Sequence, residues 1–135
     1  MTGRVYLDAS AAVKLVVTES ESESLKAFLA QQRTRLSSRI VAVEVIRAVA
    51  RAKPRVVDEA LDRARSILQL LEYVELDQEV AARAGGIEPL GLRSLDAIHL
   101  ASAMVIGEDL DAFVTYDARQ AAAAREFGLD IVSPS

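Results

Sequence analysis

The chain has no cysteine, which excludes disulfides, iron–sulfur clusters and thiolate zinc sites. It has one histidine, His99, so a multi-histidine metal site is excluded as well. No apolar run reaches the roughly 18 residues of a membrane span. The N-terminus lacks a basic region followed by an apolar core and a cleavage site, and the expectation is a cytoplasmic protein with no membrane role. An excess of positive charge is also missing. The formal charge of −4 argues against nucleic-acid binding over the whole surface, though it leaves room for a local arginine patch. Lysine is scarce beside arginine. That ratio suits bidentate contacts to phosphate, and genomic base composition explains it more simply.

What the chain does have is apolar surface and carboxylate oxygen. Its 135 residues are 51% apolar and 27% charged, enough for one domain, residues 1–135, with its own core. With 20 acidic residues and neither thiolate nor a second imidazole, any bound metal is expected to be a hard cation, magnesium or manganese.

Strands alternate with helices along the chain. Arg4 to Leu7 reads as a short apolar strand and Ala11 to Val17 as a short helix. Thr18 and Glu21 have capping-box spacing, and Glu19, Glu21 and Glu23 suit a helix start, their side chains splayed to solvent. That helix should run to about Arg33 on a stripe of Leu25, Phe28 and Leu29. Leu36 to Ser38 is a minimal second strand, with Ser37 or Ser38 capping a helix from Arg39 to Ala52. Pro54 ends that helix and can open the next, Val57 to Leu71, making an α-hairpin. Tyr73 to Leu76 is a third strand, Asp77 a helix cap, and Gly85 to Gly91 a loop. Ser94 can cap a helix from Leu95 to Ile106 that is apolar nearly all round and should be buried. A strand at Ala112 to Thr115, a helix from Ala118 to Phe127 and a strand at Asp130 to Val132 complete the chain. This order implies an α/β fold with a parallel sheet covered on both faces.

Four carboxylates recur at strand ends or helix beginnings: Asp8, Glu44, Asp96 and Asp117. In a doubly wound sheet such positions share the edge where ligands collect. Like charges brought together there need compensation, which a divalent cation supplies. Each acid also has a structural reading. Asp8 can end a strand and cap a helix, and Glu44 can pair with Arg47 or Arg51 on its own helix. Asp96 suits a first helical turn, and Asp117 can be an N-cap. His99, three residues after Asp96, can orient a carboxylate, contact substrate, or be a buried histidine satisfied by a neighbour. Ser10 and Thr115 can bond a ligand or serve as caps.

The motifs around these acids resemble those of PIN-domain ribonucleases, and among them the toxins of VapBC toxin–antitoxin pairs. Leu7-Asp8-Ala9-Ser10-Ala11 resembles the first acidic motif. Ser38 to Val45, with Glu44 inside it, resembles the second. Ser94-Leu95-Asp96-Ala97-Ile98-His99-Leu100-Ala101 is similar to the third, and Thr115-Tyr116-Asp117 followed by Arg119 to the fourth. The resemblance runs from about residue 4 to the end. It implies a three-layer α/β/α sandwich around a parallel sheet of four to five strands, and RNA cleavage dependent on Mg2+ or Mn2+. Asp8, Asp96, Asp117 and Glu44 would be the catalytic and metal-binding residues, with Ser10, His99 and Thr115 supporting them. Arg39, Arg47, Arg51 and Arg119 would be phosphate contacts. It further implies a homodimer and a small antitoxin, for which the α-hairpin around Pro54 is the expected grip. Alternatives are a PIN nuclease of RNA processing or DNA repair without an antitoxin, and a non-catalytic RNA- or protein-binding module. A phosphotransfer domain with Asp8 as acceptor would need a lysine near the chain's end, and there is none.

Overall fold

The apolar run Val5-Tyr6-Leu7 forms the middle of the structure because both of its faces can be buried. It belongs to β1 (Thr2–Leu7) in a computed structural model that describes residues 2–135. β2 (Gln32–Ser38), β3 (Glu72–Val74), β4 (Ala112–Val114) and β5 (Ile131–Val132) complete a five-stranded sheet in the order β3-β2-β1-β4-β5. Every pairing is parallel. Side chains alternate across the central strands. Tyr6 and Phe113 point to one face, where α5 (Gln78–Gly85), α6 (Ser94–Ile106) and α7 (Ala118–Glu126) cover them. Val5, Leu7, Ala112 and Val114 point to the other, against α1 (Ala9–Lys14) and α2 (Ser22–Ala30). The hairpin of α3 (Val41–Arg51) and α4 (Val57–Leu68) packs on α1 through Ala12, Val16, Val45, Val49 and Ala64. The result is the expected helix–sheet–helix layering. α6 is buried along Ala97, Leu100, Ala101 and Ala103, with Leu95 and Val105 left at the surface.

The sheet order places a topological switch at β1. The chain moves outward on one side through β2 and β3, then returns to the other side as β4 and β5. Ligands of open α/β sheets bind outside the carboxyl ends of strands at such a point. Asp8 is the residue that follows β1.

Several local expectations need correction. Thr18 and Glu21 form no capping box: the residue preceding α2 is Glu21, with no side-chain cap. Glu19 and Glu21 do not splay to solvent either, because Lys14, only 10% exposed in its side chain, recruits both carboxylates at 2.6 and 3.0 Å. A nearly buried ammonium needs partners, and that demand overrides helix-start chemistry. α2 ends at Ala30, and β2 starts at Gln32, earlier than its apolar content indicated. Pro54 lies between α3 and α4 and does not open the latter, whose N-cap is Val56. Ser94 is the first residue of α6, after Arg93 as its cap position. The Asp77 cap does form, its carboxylate accepting from the Val80 amide.

Candidate active site

Asp8 is buried, 3% exposed, and its carboxylate is held by three donors. Oδ1 accepts from Ser10 Oγ at 2.6 Å and from the Ala11 amide at 3.1 Å. Oδ2 accepts from Thr115 Oγ1 at 2.5 Å. The Ala11 bond makes Asp8 the N-cap of α1, so the structural reading of this residue holds in full. A carboxylate offers about four lone-pair directions, and three accepted bonds leave one, on Oδ2. The two hydroxyls are themselves fixed by β4 and the turn after it. Ser10 Oγ accepts from the Tyr116 amide, and Thr115 Oγ1 from the Asp117 amide. Ser10 and Thr115 therefore lock Asp8 to the end of β4.

The other three acids come from separate helices. Asp117 caps α7, its Oδ1 accepting from the Arg119 and Gln120 amides at 2.8 and 3.1 Å. Glu44 sits in the first turn of α3. It pairs neither with Arg47 nor with Arg51; its Oε1 bonds His99 Nε2 at 2.6 Å. Asp96 lies half-buried in the first turn of α6, and among the described residues its carboxylate takes no hydrogen bond. Gln120 ties two of the acids together. Its backbone amide reaches Asp117 and its side-chain amide reaches the Asp96 carbonyl at 3.0 Å.

Glu44, Asp96, Asp117 and Ser10 line one open cleft of about 910 Å³. Burial pushes the Asp8 carboxyl upward, against the pull of the Ser10 and Thr115 hydroxyls. Burial also raises Asp96, and the charges of Asp117, Asp8 and Glu44 raise it further. Asp96 is thus the acid on which the charges of the other three bear. Arg47, Arg51 and Arg93 line the same cleft and bring positive charge to it, whereas Lys14 on its wall is paired with Glu19 and Glu21.

Comparison with known proteins gives the family. Residues 5–126 match the PIN domain family. The chain is 40% identical to ribonuclease VapC46 of Mycobacterium tuberculosis, over 97% of this chain and 98% of the relative. The chain belongs to the VapC-like PIN domains. It is likewise 40% identical to ribonuclease VapC47 of the same species, with 96% of each chain covered. Among solved structures, M. tuberculosis VapC20, described as a toxin that cleaves the sarcin–ricin loop, superposes with a TM-score of 0.75 at 17% identity, over 96% of this chain and 99% of that one. The DNA-bound VapBC of Salmonella typhimurium gives 0.72 at 18% identity, with 98% of each covered. These two share its fold.

The PIN domain's donor set suits a hydrated divalent cation. Among the described residues no three acidic or histidine side chains stand close enough to form a closed metal cage. Open oxygens around a solvent-filled cleft match magnesium instead, which keeps several waters and takes one or two carboxylates. Glu44 and Asp117 each spend one oxygen on the protein and keep another, Asp8 keeps only the second lone pair of Oδ2, and Asp96 keeps both oxygens.

The four arginine expectations divide here. Arg47 and Arg51 stand on the cleft wall. Arg39 faces away from phosphate duty: it holds Glu75 through two nitrogens, at 2.7 and 3.0 Å, and lies 4.1 Å from the centre of the Tyr73 ring. Arg119 is exposed beside Pro89 and Glu126. Sequence reasoning missed Arg93, Tyr6 and Gln120. Of these only Arg93 carried a signal, as a cation directly before the third acidic motif.

Proposed function

We propose that this PIN domain is a divalent-cation-dependent endoribonuclease and the toxin of a toxin–antitoxin pair in the cytoplasm. The reading is carried by one observation: Glu44, Asp96 and Asp117, from three separate helices, line one cleft with Arg47, Arg51 and Arg93, and Asp8 is close enough to act on Asp96. A phosphodiester needs both kinds of charge. The basic wall draws in and orients the backbone, and the acids prepare the site of cleavage.

Asp8, Asp96 and Asp117 would hold the cation directly or through water, and Glu44 would hold a water or a second ion. A cation bound there, magnesium or manganese, supplies a charge for the phosphate oxygens and an activated water. The residues do the rest. Ser10 and Thr115 fix the Asp8 carboxylate in one rotamer, and Gln120 fixes Asp96 relative to Asp117. Arg47, Arg51 and Arg93 clamp phosphates on either side of the scissile bond.

A protein partner fits the same face. Val43 is 62% exposed and Leu95 48% exposed beside Glu44 and Asp96. Apolar groups at the mouth of a charged cleft suit a small antitoxin that covers the site, gripping the α3–α4 hairpin at Val56 and Val57. The active toxin is a homodimer. Expression without the neighbouring small open reading frame should arrest growth and generate new RNA ends. Co-expression of that frame, or Asp96→Asn, should abolish both effects. Arrest that persists with Asp96→Asn would overturn the proposal.

A further inference from the structure

His99 is the chain's only histidine and is fully buried. Its two nitrogens nevertheless lead from the sheet core to the cleft. Nδ1 lies 2.7 Å from the Tyr6 hydroxyl, and Nε2 lies 2.6 Å from Glu44 Oε1. Tyr6 is immobilised from behind: its ring stacks on Phe113 with centroids 5.3 Å apart and planes 10° apart. His99 meets the same ring edge-on, at 5.8 Å and 75°.

The position of the Nε2 proton follows from this arrangement. The nearby Ser37 and Ser102 hydroxyls donate elsewhere, to the Leu7 and Ile98 carbonyls, each at 2.7 Å. The carboxylate of Glu44 can only accept. Nε2–H therefore donates to Glu44, and the Tyr6 hydroxyl shares one hydrogen bond with Nδ1.

Resting on the proposed nuclease function, we infer that Tyr6 and His99 are positioning residues: Tyr6 holds the His99 ring in place, and His99 Nε2–H pins Glu44 Oε1 and leaves Glu44 Oε2 to serve the cleft. A glutamate side chain has several rotamers, and Glu44 sits on a helix whose neighbouring polar groups are arginines. Without His99 nothing on α6 would choose the rotamer that faces Asp96. Partners of this kind orient the groups that hold a cation, and their loss lowers cation affinity or activity by roughly 10–100-fold.

The test has two parts. The first is the nitrogen spectrum of the 15N-labelled, tag-free, cation-free full chain, in which a lone imidazole gives one unambiguous pair of signals. The expected result is a protonated Nε2 whose hydrogen exchanges slowly. An Nδ1–H tautomer with an unprotonated Nε2 would overturn the inference. The second part compares wild type with Tyr6→Phe, which keeps the stack on Phe113, and with His99→Gln and His99→Asn. Tyr6→Phe should lower calorimetric Mg2+ affinity and kcat by about tenfold with KM for RNA unchanged. Gln places an amide donor near the position of Nε2 and should retain more activity than Asn, which cannot reach Glu44. Wild-type Mg2+ affinity in Tyr6→Phe, or equal activity in the Gln and Asn variants, would overturn it. A wild type that cleaves no RNA would strike the proposed function, while the nitrogen spectrum would still decide the tautomer.

Discussion

Replacing Asp8 by asparagine separates what this residue does for the fold from what it does for a cation. Asparagine has the same shape, so its Oδ1 can keep the bonds from Ser10 Oγ and the Ala11 amide. Both change from charge-assisted to neutral, a loss of roughly 1 kcal/mol each. The Thr115 hydroxyl must turn to accept from the new amide, and its proton loses the Oδ2 acceptor. Against these losses stands the removal of a carboxylate charge that is only 3% exposed, a relief of comparable size. The net change in cation-free stability should stay within about 2 kcal/mol, or about 8 °C in Tm for a chain of this length. Cation linkage should respond differently. At a Mg2+ concentration about 100 times its Kd, the wild type gains about 2.7 kcal/mol, or about 10 °C. Asp8→Asn should lose most of that gain. Thermal denaturation with chelator and with Mg2+ measures both quantities. An unchanged Mg2+-induced rise in the variant would refute the assignment of Asp8 to the cation. A collapse of the cation-free protein would refute the hydrogen-bond accounting.

Other predictions address the remaining acids, the basic wall and the core. The Asp8 and Asp96 carboxyls are raised in the folded state, so their contribution is whole below the unfolded value near pH 4 and is lost as pH rises through the folded values. Cation-free protein should thus lose stability as pH rises above about 4, with a shallower slope in Asp96→Asn, as read by chelator-treated melts across pH. Glu21 and Glu75, lowered by hydrogen bonds from Lys14 and Arg39, pull the other way, losing stability as pH falls through their lowered values. Arg47→Ala, Arg51→Ala and Arg93→Ala should each weaken RNA binding and reduce the salt slope by about 0.7 for every phosphate left without its cation, measured by fluorescence anisotropy at several salt concentrations. Leu100→Ala removes a fully buried side chain from the α6–sheet interface. It should cost about 3 kcal/mol in urea denaturation with little effect on kcat in the molecules that remain folded.

The sheet was legible where burial wrote apolar residues into a strand. Val5-Tyr6-Leu7 and Ala112-Phe113-Val114 are central, covered on both faces, and apolar throughout in the sequence. β2 was half hidden. Gln32 to Arg35 pair with β1 through the backbone, yet three of those four residues carry no core burial. Hydrogen-bonded pairing leaves no trace in side-chain pattern there. The acids were legible as a set because strand ends and helix starts share an edge in a parallel sheet. Their partners were not. The sequence pointed His99 at Asp96, three residues away on its helix, whereas its contacts are Tyr6 and Glu44, 93 and 55 residues distant. Arg39 looked like a phosphate ligand until Glu75 and Tyr73, across the β2–β3 pairing, claimed it. Local reasoning finds the groups that bear chemistry; tertiary packing decides which of them are already engaged.

The central claim is that the converging acids make a cation-dependent centre for RNA cleavage. The most direct measurement is single-turnover cleavage of RNA by purified protein as Mg2+ is titrated, for wild type and Asp96→Asn. Wild type should be inactive in excess chelator, should regain activity on adding Mg2+ or Mn2+, and should exceed Asp96→Asn by at least about 100-fold at saturating cation. Cleavage by wild type in excess chelator, or by Asp96→Asn at the wild-type rate, would contradict it.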